Sequence, residues 1–152
     1  MATYSFADVQ ASISGPGGSF NMGSGSGSAE EGITVAMTED KNTMTIGADG
    51  AVMHSLHAGK SGMVMVRLLK TSPVNRQLTQ LYNTQTASSA LHGSNTVTVA
   101  DPVRGDLVTC QQVAFAKHPD VVWQKEGNTN EWTFHAGVID WSLGSGSPAV
   151  AQ

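Results

Sequence analysis

Charge is what this chain has least of. Asp, Glu, Lys and Arg make up 13% of its 152 residues, about half the ~25% usual for a soluble globular domain. A free-standing domain normally stays in solution behind a mixed, charged surface. This composition therefore argues for a subunit that covers much of itself with copies of itself. Clustered basic charge is missing too, and the formal net charge is −4. Tight binding to a phosphate backbone needs a basic face, so the composition argues against direct, tight DNA binding. Cys110 is the only cysteine, which rules out an intrachain disulfide. No apolar run approaches the ~20 residues of a membrane-spanning helix. The segment MATYSF lacks the basic and apolar regions of a secretory signal. Assembly in a cytosol-like compartment, without membrane binding by the subunit, is the expectation.

What the chain does have is alternation. Val9–Ser14 sets Val9, Ala11 and Ile13 against Gln10, Ser12 and Ser14, a strand signature ended by Gly15-Pro16-Gly17-Gly18. Ser19–Met22 can pair back on it. GSGSGS at residues 23–28 is flexible, low-complexity chain. Strands are predicted at Gly32–Thr38, with Ile33, Val35 and Met37 on one face, and at Asn42–Gly47. The Asp-Gly turn of Ala48-Asp49-Gly50 separates the latter from Val52–His57, a further strand or an irregular arm. Gly62–Leu69, with Val64, Val66 and Leu68 facing one way and Met63, Met65, Arg67 and Leu69 the other, is largely apolar on both faces and predicts a central strand mostly covered on both sides. Asn95–Ala100 and Asp106–Ala116 read as strands. Val121–Lys125 and Glu131–Ile139 read as a hairpin around Gly127-Asn128-Thr129-Asn130.

One helix is specified. Ser72 suits an N-cap and Pro73 the first helical position, where a missing N–H costs nothing. Val74, Leu78, Leu81 and Tyr82 then form one apolar stripe, and the helix should end near Thr84–Ser88. The sum is a mainly-β sandwich or barrel with one flanking α-helix. Residues 1–143 read as a single domain and residues 144–152 as a flexible tail.

Catalytic patterns fail when weighed. Gly59-Lys60-Ser61 has the end of a phosphate loop, but the required upstream glycine is His54, and a strand follows instead of a helix. His54 and His57 would point to opposite faces of extended chain and have no third ligand. Arg104-Gly105-Asp106 stands where a turn is needed. Cys110 has no basic neighbour to activate it. No enzyme, metal or cofactor is indicated.

Two stretches carry a resemblance: TYSFADVQASISGPGG near the start and EEGITVAMTEDKNTMTIGADGAVMHSLHAGKSGMVMVRLLKTSPVN from Glu30 to Asn75. Over Tyr4 to about Leu143 the chain resembles a small family of structural proteins from phages with contractile tails, similar to tail tube proteins. The resemblance implies hexameric rings closed by a continuous inner β-barrel and stacked into a hollow conduit. Its partners would be further copies of itself, the tail sheath protein, the tape measure protein, and DNA only in transit. Its place would be the virion tail, assembled in the bacterial host cytoplasm. Other readings are a tube terminator or adaptor, the tube of an injection device, or a carbohydrate-binding β-sandwich using Trp123, Trp132 and Trp141.

Within the tube reading, Glu39–Lys60 is the expected arm to an adjacent ring. It is turn-laden and carries Met44, Ile46, Val52, Met53 and Leu56, apolar side chains that a solvent loop would not need, beside Asp40 and Asp49. A lumen that lets DNA slide should be acidic or neutral, with Asp8, Glu39, Asp106 and Glu131 as candidate lining acids.

Overall fold

Polar–apolar alternation becomes strand nearly everywhere it occurs. The computed structural model describes residues 3–23 and 28–146, with residues 28–31 in backbone only. Residues 24–27 of the GSGSGS segment and 147–152 of the expected tail lie outside the described residues. After a 3₁₀ turn at Phe6–Asp8 come β1 (Gln10–Gly15), β2 (Gly18–Asn21), β3 (Ser28–Met37), β4 (Asn42–Ile46), β5 (Val52–Leu56) and β6 (Gly62–Leu69). The helix α1 (Val74–Thr86) follows, then β7 (Asn95–Asp101), β8 (Asp106–Lys117) and β9 (Thr129–Ser142). Seven strands form one antiparallel sheet in the order β2-β1-β7-β8-β9-β6-β3, while β4 and β5 pair only with each other. The expected mainly-β fold with a single flanking helix is the fold found.

The core lies between the inner face of the sheet and α1. Ile13 of β1, Val97 of β7, Phe115 of β8, Phe134 of β9 and Val66 of β6 belong to one buried cluster with Leu78 and Leu81 of the helix. Aromatic edges fix the packing. Phe115 meets Phe134 at 4.9 Å, Tyr82 at 5.5 Å and Trp132 at 5.9 Å between ring centroids, contacts worth ~0.5–1.5 kcal/mol each beyond their burial. The Trp132 indole donates to Asn75 Oδ1 (2.9 Å), pinning the first helical turn to β9.

The helix begins one residue later than predicted. Pro73 is the residue before it, and the Ser72 hydroxyl accepts from Val74 N–H (3.3 Å). The buried stripe also runs one turn further than its apolar residues, because Gln85 follows Leu81 by four positions and is fully buried. Its amide donates to Pro16 O (3.0 Å) and exchanges 2.6 Å bonds with Asn95, which also donates to Val113 O. All the amide's polarity is thereby satisfied in the core.

Two expectations are corrected. Val121–Lys125 is not a strand and makes no hairpin with Glu131–Ile139. A strand has two hydrogen-bonding edges, and those of β9 are taken by β6 and β8. The other correction concerns β6, which is not covered on both faces within the subunit. Val64, Val66 and Leu68 are fully buried, but Met63, Met65 and Arg67 are only half-buried. A single sheet with its helix on one side leaves the other side open.

Candidate functional site

Every residue expected in the arm falls within one projecting element or at its base. Strands β4 and β5 pair from Asn42↔Leu56 to Ile46↔Val52. Their turn is closed by a bond from Gly47 N–H to Ala51 O (2.7 Å) and by Asp49 Oδ1, which receives Ala51 N–H (3.0 Å). Gly50 sits at φ +88, a conformation that a side chain would strain. At the base, His57 N–H donates to Lys41 O (2.9 Å) and Lys41 Nζ to His57 O (3.0 Å), beside exposed Asp40. The pairing sets Met44, Ile46, Val52 and Leu56 on one face of the hairpin and Met53 on the other. All five are exposed, Leu56 at 85%. An isolated two-stranded hairpin is marginal in water, so this apolar face calls for a cover.

The histidines serve the hairpin itself. His54 Nδ1 shares a hydrogen bond with Asn42 Nδ2 (3.2 Å), and His57 Nε2 with Thr43 Oγ1 (2.7 Å). Lys60 of the GKS sequence lies 3.9 Å from Asp140 on the surface. The three tryptophans share no platform. Trp132 is buried, Trp123 is exposed, and Trp141 is nine residues further along the same extended strand, about 30 Å away at 3.3 Å per residue.

The four candidate acids separate. Glu131 stands on the open face of the sheet, paired with Arg67 at 3.2 Å. Glu39 lies against Gly59, and Asp106 Oδ1 receives Gly144 N–H (2.8 Å). Asp8 is bound by Arg104 (3.0 Å). That arginine, read from sequence only as part of a turn, is a buried clamp. Its guanidinium also grips Asp101 (2.9 Å), donates to Thr3 O (2.7 Å) and lies 5.1 Å from the Tyr4 ring centroid. The segment before β1 is thereby strapped to the β7–β8 turn.

Cys110 is fully buried, and desolvation pushes its thiol up to about 11. The raised value means that the folded state holds this proton more tightly than the unfolded chain. Stability is therefore unaffected by this group below about pH 8.5 and is lost progressively as pH rises from there through about 11. Iodoacetamide at pH 8 should leave the native thiol unmodified and label it rapidly in denaturant. Rapid native labelling, followed by mass spectrometry, would contradict the burial.

The open face of the large sheet is notable for what it presents. Register places Ser12 beside Thr98, Thr98 beside Thr109, Thr133 beside Met65 and Met65 beside Thr34. Gln10, Ser14, Thr96 and Gln111 add further exposed, uncharged polar groups to the surface.

A family model described as the bacteriophage PhiTE tail tube protein matches residues 1–144 of this sequence. The chain belongs to that family. It is a structural tail tube subunit of phage tails, as the resemblance implied. Solved structures share the fold at low identity. The tail of an empty GTA particle, with C6 symmetry, aligns with TM-score 0.63 and 11% identity over 93% of this chain and 100% of that chain. The sheath–tube complex of PVC, an extracellular contractile injection system, in its extended state gives 0.56 and 8% over 93% and 92%. The tube-terminating cap of the anti-feeding prophage gives 0.50 and 7% over 94% of each chain. No curated protein matches this sequence.

Proposed function

We propose that this tail tube subunit closes into hexameric rings, that the rings stack through the β4–β5 arm, and that the sparsely charged open face of the seven-stranded sheet, rich in hydroxyl and amide side chains, lines the resulting channel. The carrying observation is that face. Hydroxyl and amide side chains can wet a channel without holding phosphates, whereas Lys and Arg would bind them. Its charges are few and mostly paired: Arg67 with Glu131, and Asp140, opposite Thr109, with Lys60, while Lys117 stands at its edge opposite Thr133. Of the four proposed lining acids, Glu131 keeps that place; Asp8, Glu39 and Asp106 fit the ring-to-ring boundary better, because they lie where strands end. The subunit's work is mechanical and non-enzymatic: a rigid conduit inside a contractile sheath, holding a tape measure protein before ejection and passing DNA afterwards.

Assembled tubes test this directly. A cryo-EM map should put Thr98 and Thr133 on the inner wall. Tubes carrying Thr98→Lys and Thr133→Lys should retain double-stranded DNA in a salt-dependent way, and unmodified tubes should not. A positive inner wall in unmodified tubes, or Thr98 on the outer surface, would refute the proposed lining.

A further inference from the structure

We infer that the arm of one copy docks on the loop between β8 and β9 of a copy in the neighbouring ring, seated on Val122 and Trp123 and oriented by Lys117 and Lys125. This rests on the reading of β4–β5 as an inter-ring arm. It adds the receiving surface.

The antiparallel order sends the connections of the main sheet to two opposite ends. The arm, the Arg104 strap and the β7–β8 turn share one end. The β1–β2 turn, the β6–α1 connection and residues 118–128 share the other. Charge divides the same way in the loops and strand termini. The arm end carries Asp8, Glu39, Asp40, Asp49, Asp101 and Asp106 against Lys41, Lys60 and Arg104. The far end carries Lys70, Arg76, Lys117 and Lys125 against Glu30, Glu31, Asp120 and Glu126, and so has no formal net charge. Head-to-tail stacking brings the acidic end onto a neutral one that offers Lys117 and Lys125, whereas head-to-head stacking of arm ends opposes two acidic surfaces.

Apolar surface is matched as well. Trp123 is 81% exposed, with Val122 exposed beside it. The Lys70 ammonium lies 5.0 Å from the Trp123 ring centroid and also donates to Val122 O. One face of the ring is met by that ammonium while the rest of it meets water. An uncovered tryptophan offers a large apolar area to bury on docking, and tryptophan is enriched among the residues that dominate interfaces. The arm supplies the complement: the apolar face Met44, Ile46, Val52 and Leu56, with Asp40 at its base and Asp49 at its tip. Each of its five-residue strands spans about 17 Å, enough to cross a ring boundary.

The test uses the full chain. A photo-cross-linking residue at Val52 in assembled tubes should yield adducts to residues 117–126 of another copy, and unassembled subunit should yield none. Trp123→Ala should raise the concentration needed for tube growth by about tenfold or more, the loss expected for a central interface tryptophan. Because the side chain is exposed, thermal unfolding of the subunit should not change. Lys117→Glu with Lys125→Glu should also impair growth, and Asp40→Lys with Asp49→Lys should restore part of it. Adducts on any other segment, or normal growth of both receiver variants while removal of the arm still blocks tubes, would overturn the docking site and leave the arm standing. Normal tubes without the arm would overturn the arm itself.

Discussion

Replacing residues 42–56 by a short Gly-Ser linker is expected to abolish tubes while leaving a folded subunit. The excision is sterically mild because Lys41 and His57 already meet across a 2.9 Å hydrogen bond. It touches no strand of the main sheet, since β4 and β5 pair only with each other. Stability should change little, because none of the removed side chains belongs to the core cluster. Sedimentation velocity and negative-stain images read the result. Isolated subunits or single rings are expected, and tubes of normal length would show that stacking is carried elsewhere.

Leu78→Ala should destabilise the subunit by ~2–5 kcal/mol, the cost of truncating a buried leucine whose surroundings cannot collapse onto the gap. Leu78 is fully buried beneath the helix. Leu56→Ala makes the matched control, since that leucine is 85% exposed and in no core contact; a change within about 0.5 kcal/mol is expected in the unassembled subunit. Urea unfolding of both variants checks the pair. Equal effects would mean that the arm is part of the core, or that Leu78 is not. The two substitutions should also differ in assembly. Leu78→Ala lowers the yield of folded protein first, and Leu56→Ala weakens stacking first.

How much of this was legible in the sequence depended on how local the signal was. The helix announced itself through Ser72-Pro73 and a four-residue stripe, and all of that lies within one stretch of chain. Strands β7 and β8 were readable from alternation, and β6 from its short, nearly continuous apolar run. The arm was readable because apolar residues stood among turns where water would not want them. The failed hairpin at Val121–Lys125 shows the limit. Its residues favour a strand, but pairing is decided by which edges remain free, and β9 had none left. The Arg104 clamp was out of reach for a similar reason: Asp8 and Thr3 lie 96 and 101 residues from it. The Gln85–Asn95 pair was out of reach too, because nothing local says that two amides will satisfy each other inside a core.

The separateness of the β4–β5 ladder has a kinetic consequence. A hairpin this short gains little by folding alone, so part of its ordering cost falls on the moment of docking. Two free subunits meeting in solution must both meet that cost before any contact rewards it. A subunit arriving at a finished ring meets a rigid seat and orders only its own arm. New rings should therefore add to an existing end far more readily than new tubes begin. Growth would then be seeded from a template, with length decided by the event that stops elongation and not by the supply of subunits.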